Sequence, residues 1–209
     1  MNIERKSHNK ILPELIVSLL CFAVLCIATP MTIATALVLC VPVVFIGVRR
    51  GFGLGALVLA AGLGLVYALY LEWTVCLYLG LLVLPFLLLL VPMMRAKASA
   101  LDCLVAACGS AVIGILAVFL AMNRLEGAGP IDLIMRLFEA DPNLTMQVSM
   151  QLWTPETLEQ LIASGTDIIV EGSNFIRSTL NEVLPTIAIT YCVVTGMIAF
   201  FLSRVLVKK

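Results

Sequence analysis

The chain has 209 residues, of which 62% are hydrophobic and 12% charged, and its 13 Lys and Arg balance 13 Asp and Glu to a formal net charge of zero. Soluble domains are about half apolar and about a quarter charged, so a mean hydropathy of +1.11 excludes an ordinary water-soluble globule and implies hydrocarbon as the solvent for most of the chain. The lack of any basic tract excludes a nucleic-acid partner.

A basic leader with Arg5, Lys6 and Lys10 opens the chain. An apolar run follows, and Ala34 and Ala36 imitate a signal-cleavage site, but the run continues through Val48, so the first helix is read as retained. A membrane span needs about 20 mainly apolar residues. On that measure six spans are predicted, at about 11–29, 31–48, 51–71, 74–94, 101–122 and 183–202. Pro13 suits the first turn of the first span, Thr29-Pro30 breaks it from the second, and Pro85 should kink the fourth. The expected fold is a single all-α domain, a bundle of six transmembrane helices over residues 1–209, with an amphipathic extracytoplasmic segment between helices 5 and 6.

That segment, 123–182, carries nine acids and three bases, a net charge of −6. Residues 131–138 read as a short amphipathic helix, and Thr154-Pro155-Glu156 as a helix start with Thr as cap. Ile168, Gly172, Phe175, Ile176, Thr179, Leu180 and Val183 fall on one helical face, which should run on into the last span.

Orientation follows from the basic flanks. With the N-terminus cytoplasmic, ten bases lie inside (Arg5, Lys6, Lys10, Arg49, Arg50, Arg95, Lys97, Arg204, Lys208 and Lys209) and only Arg124, Arg136 and Arg177 outside. An even number of spans puts both termini on the cytoplasmic side of the plasma membrane, as their charges require. Tyr67, Tyr70, Trp73 and Tyr78 then cluster at the outer turn, as in an interfacial aromatic belt.

Residues that would carry chemistry are sparse. His8 is the only histidine and sits in the leader. The seven cysteines (Cys21, Cys26, Cys40, Cys76, Cys103, Cys108 and Cys192) lie in apolar runs without a C-x-x-C pair, and read as small buried hydrophobes. Neither a metal site nor a catalytic set is expected, and no cofactor. Glu14 and Asp102 lie at the inner ends of their spans, where they read as interfacial ion pairs within reach of Lys10 and Lys97. Gly47, Gly51 and Gly55 repeat at every fourth position, and so do Ala106, Ser110 and Gly114; Gly62 and Gly64 add another narrow point. Small residues on one stripe let helices approach closely, so these are helix-packing candidates, with docking to a partner membrane subunit as the functional alternative. Gly51-Phe52-Gly53-Leu54-Gly55 is no phosphate loop, since no Lys-Ser/Thr follows it.

The order of elements, with the Gly47-Val48-Arg49-Arg50-Gly51 turn after the second span, the basic turn after the fourth, the acidic amphipathic segment and the basic tail, resembles the YybS-like family of uncharacterised bacterial multi-pass membrane proteins. That family is distantly similar to the substrate-binding S components of energy-coupling-factor transporters. The resemblance implies a transporter subunit that binds an unknown small molecule from the outer face, though no binding motif of that family carries over to these residues. The outer mouth, rimmed by aromatics and roofed by the amphipathic segment, offers Tyr67, Tyr70, Trp73, Asn123 and Trp153 as the candidate lining. The alternative is a non-transporting scaffold or regulatory protein that acts through partner proteins in the cell envelope. The first span departs from the S-component pattern, offering Ser18, Cys21 and Ala23 in place of A-x-x-x-A.

Overall fold

The computed structural model describes residues 3–28, 38–140, 147–148, 156 and 168–208. Its elements are helices: α1 (Ile3–Ala28), α2 (Val41–Arg50), α3 (Phe52–Tyr70), α4 (Trp73–Arg95), α5 (Ala100–Leu125), α6 (Pro130–Ala140) and α7 (Ile168–Lys208). Four of them, α3, α4, α5 and α7, are long and apolar enough to cross a membrane. Only 28% to 39% of the most apolar window of each is buried within the protein. Leu65, Leu88, Leu116 and Ile189 are each about half exposed or more, a surface that hydrocarbon covers and water does not.

Two predicted spans take a different form. The apolar part of α1, Leu12–Ile27, is shorter than the four long helices. The helix itself starts at Ile3, so Pro13 lies in its interior and not in its first turn; the bond that Pro13 cannot donate falls at the polar end of the helix. The stretch 31–48 is not one continuous helix, because Leu39 and Cys40 form a turn and a new helix begins at Val41. Pro42, in the first turn of α2, has the fixed φ and missing N–H that favour a start there and oppose continuation from before. Residues 29–37, with Thr29-Pro30, lie outside the described residues.

The chain forms two compact units, one of Met1–Val118 with Ile189–Lys209 and one of Phe119–Ala188. In the first, α1, α2 and α3 pack on one another, and α4 packs on both α2 and α3. The glycine repeat works through a turn. Gly51, at φ +119°, ends α2 and opens α3, a left-handed conformation that favours glycine. Gly47 and Gly55 therefore meet across the α2–α3 corner: a Cβ on Gly55 would lie 3.0 Å from the Gly47 Cα and 2.8 Å from Leu87 Cδ1. Gly62 receives the Phe22 ring, while Gly64 has open space around it. A contact that the sequence did not flag joins α5 to α7, where a Cβ on Gly196 would lie 2.7 Å from both the Cys108 Cα and N.

The second unit contains α6 and the first part of α7. Pro130–Ala140 confirms the short amphipathic helix, and the face predicted for α7 buries Gly172 and Ile176 while leaving Phe175 exposed. Asp132 is the joint: its carboxylate accepts from the Gly129 N–H at 3.2 Å and from Arg177 Nη2 at 2.5 Å. Thr154 and Pro155 lie outside the described residues.

Because the Gly196 neighbour is backbone, which cannot step aside, Gly196→Ala should destabilise the folded protein by about 1–3 kcal/mol. Gly109→Ala in α5 meets nothing within 4 Å and should be neutral or stabilising by up to about 1 kcal/mol. Thermal unfolding of the two variants in one detergent should separate them clearly.

Candidate functional site

The feature of the first unit with most chemical potential lies mid-bundle and starts from a proline. Pro85 has no N–H for the Leu81 carbonyl, and the Phe86 N–H bonds to the Val83 carbonyl instead of that of Leu82. Phe86–Leu90 then adopts a π turn, in which the Val91 N–H reaches the Phe86 carbonyl. Inside a bilayer each freed carbonyl must find a partner within the protein. α5 packs closely against this stretch. The Ser110 hydroxyl, fully buried, lies 3.1 Å from the Pro85 carbonyl and 2.7 Å from the Ala106 carbonyl. One turn on, a Cβ at Gly114 would lie 3.0 Å from the Leu82 oxygen and 3.3 Å from that of Leu81. Ser110 and Gly114, two of the three stripe positions, thus seat α5 on the break in α4.

Beside this break lies a cavity of about 20 Å³, walled by Leu82, Val83 and Phe86 of α4, Leu39 and Cys40 before α2, and Tyr191 and Thr195 of α7, among others. It has room for about one water. Three of its walls sit near the middle of the long apolar helices, and Cys40 lies ten residues before Arg50, the end of α2. It touches two discontinuities among the described residues, the Leu39–Cys40 turn and the π turn. Thr195 Oγ1 is buried there without a formed hydrogen bond; the Tyr191 phenol, one turn earlier, is a polar neighbour. Broken helices at mid-membrane depth form the solute and ion sites of many transporters, and π turns recur at functional sites.

The residues proposed from sequence as a ligand lining are placed elsewhere. Tyr67, Tyr70 and Trp73 are exposed at the α3–α4 turn, as belt residues, and do not line this cavity. Tyr70 Oη donates to the Ile27 carbonyl at 3.3 Å, joining the ends of α3 and α1. Asn123 is exposed and belongs to the second unit, and Trp153 lies outside the described residues. Thr195, Tyr191 and Cys40 were missed. The signal for the first two was a Tyr-x-x-x-Thr spacing inside an apolar span, which stacks two polar groups on one face.

At the end of the unit that gathers the basic residues, Glu14 pairs with Arg50 at 2.8 Å and Arg49 at 3.3 Å; the side chain of Lys10, its expected partner, lies outside the described residues. Ser99 caps α5, and Asp102 is held to it instead of pairing with Lys97: the Asp102 backbone N–H donates to Ser99 Oγ at 3.1 Å, and the Ser99 hydroxyl donates to the Asp102 carboxylate at 2.6 Å. All seven cysteines are free; Cys26, Cys40, Cys103 and Cys192 are buried, Cys76 and Cys108 partly so, and Cys21 is exposed. Among the described residues no three His, Cys, Asp or Glu side chains group as metal ligands would. The chain matches no protein-family model, no curated protein and no solved structure.

Ser110→Ala removes the one hydroxyl shared between the Ala106 and Pro85 carbonyls and should destabilise the fold by about 0.6–1.7 kcal/mol, the range for hydrogen bonds between membrane helices. Ser110→Thr, which keeps a hydroxyl, should recover the bond if the added methyl is accommodated. Unfolding equilibria in mixed micelles measure both.

Proposed function

We propose that the chain is a solute-binding subunit of a membrane transporter, crossing the plasma membrane six times with both termini in the cytoplasm. The observation that carries this reading is the mid-bundle cavity, bounded by the two helix discontinuities and the polar groups of Tyr191, Thr195 and Cys40. A continuous, wholly apolar bundle would have no need of such a site. In this proposal α1, together with α2 and the residues before it, forms the first two spans, and the Leu39–Cys40 turn and the π turn are the hinges that enlarge the cavity for a solute. Tyr67, Tyr70 and Trp73 would then mark the outer ends of α3 and α4. The layout's resemblance to the YybS-like family and its kinship with S components support the same reading. A second one, a non-transporting scaffold acting through envelope partners, draws on the cavity's small size.

Cysteine labelling separates the two. In a protein whose only cysteine is Cys40, a small charged methanethiosulfonate should react in proteoliposomes, because an opening transport cavity admits water to that thiol. A Cys26-only protein, buried away from the cavity, should not react. Equal inertness of both thiols would leave the scaffold standing and sink the transporter.

Orientation has its own measurement. In intact cells an impermeant maleimide should label a cysteine placed at Asn123 and spare one at Ala98; the reverse pattern would invert the topology.

A further inference from the structure

The basic end of the first unit contains a second, larger cavity of about 420 Å³. Its rim carries two cations, Lys97 from the turn after α4 and Arg204 near the end of α7. Its remaining walls are mostly apolar, with Val48, Met94, Cys103 and Phe200 prominent. The nearby charges are distributed unevenly. Glu14 is engaged by Arg49 and Arg50, and the Asp102 carboxylate is turned to Ser99 and does not line the cavity. Among the described residues, neither Lys97 nor Arg204 has a carboxylate within salt-bridge distance. Both are exposed. Arg204 is held over the Phe200 ring at 5.7 Å, which fixes the guanidinium at the rim by a cation–π contact. Lys97 sits at φ +54°, a left-handed turn conformation, between the ends of α4 and α5.

We infer that this cavity is a binding site for an anionic phospholipid, with the headgroup phosphate between Lys97 and Arg204 and the upper acyl chain along Val48 and Met94. Two unneutralised cations favour a phosphate, and guanidinium is the better matched of the two. The apolar walls select a lipid over a free phosphate metabolite, which would require donors on several sides. Basic pockets between membrane helices are recognised sites for acidic headgroups. The site depends on the bilayer reading alone and holds whether the chain transports or scaffolds.

The test measures lipid retention and thermal stability of the full chain in mixed micelles containing phosphatidylglycerol or phosphatidylcholine. Phosphatidylglycerol should raise the Tm of the parent protein and co-purify with it, and phosphatidylcholine should do neither. Lys97→Gln with Arg204→Gln should weaken phosphatidylglycerol retention on the order of tenfold, while Arg124→Gln, which removes a charge from the second unit, should retain it. Arg204→Lys keeps the charge and should hold most of the lipid, which controls for misfolding of the double variant. Equal effects of the two lipids, or full retention by a folded double variant, would overturn the site. So would stabilisation by millimolar inorganic phosphate matching that of the lipid, which would make free phosphate the ligand.

Discussion

The organisation of the bundle depends on the demand that backbone polar groups inside hydrocarbon find partners in the protein. Pro85 breaks that rule for α4, and the neighbouring structure repairs it. The π turn re-pairs Phe86 with Val91, the Ser110 hydroxyl sits between the Ala106 and Pro85 carbonyls, and Gly114 lets α5 come close to the Leu81 and Leu82 oxygens. A Leu or Val at either α5 position would hold the two helices apart. The sequence feature that threatens α4 therefore also fixes where α5 packs.

The same repair explains why polar chemistry collects mid-bundle. A second interruption, at Leu39 and Cys40, opens on the same space, with Thr195 and Tyr191 facing it from α7. Apolar side chains fill most of the rest of the core, from Phe22 through Val43, Val58 and Leu90, with Ser18 and Ser203 as buried polar exceptions. Ser110 and Thr195 are buried where the helices are irregular, and such places are also where a membrane protein has freedom to move.

Charge follows a separate logic at the basic end. Glu14 takes Arg49 and Arg50, and Asp102 spends its carboxylate on the cap of α5. Lys97 and Arg204 are left to the bilayer surface. In the acidic second unit, Asp132 is held by Arg177 and by the Gly129 N–H, so a region with a large negative excess still uses one of its few bases to join α6 to α7.

The sequence by itself determined the solvent, the four long apolar helices, the short amphipathic helix and the run of α7 into the last span. These follow from composition and from periodicity along a single element, which neighbours do not alter. It also marked Gly47, Gly55, Ser110 and Gly114 as packing positions, because small residues act through their own lack of bulk. Only the tertiary structure decided that Gly51 is a corner, that 31–48 is interrupted, that Glu14 chooses the α2 arginines, and that Cys40, Thr195 and the Pro85 break share one cavity. Each of those depends on which distant segment lies alongside, and spacing within one helix carries no record of its neighbour.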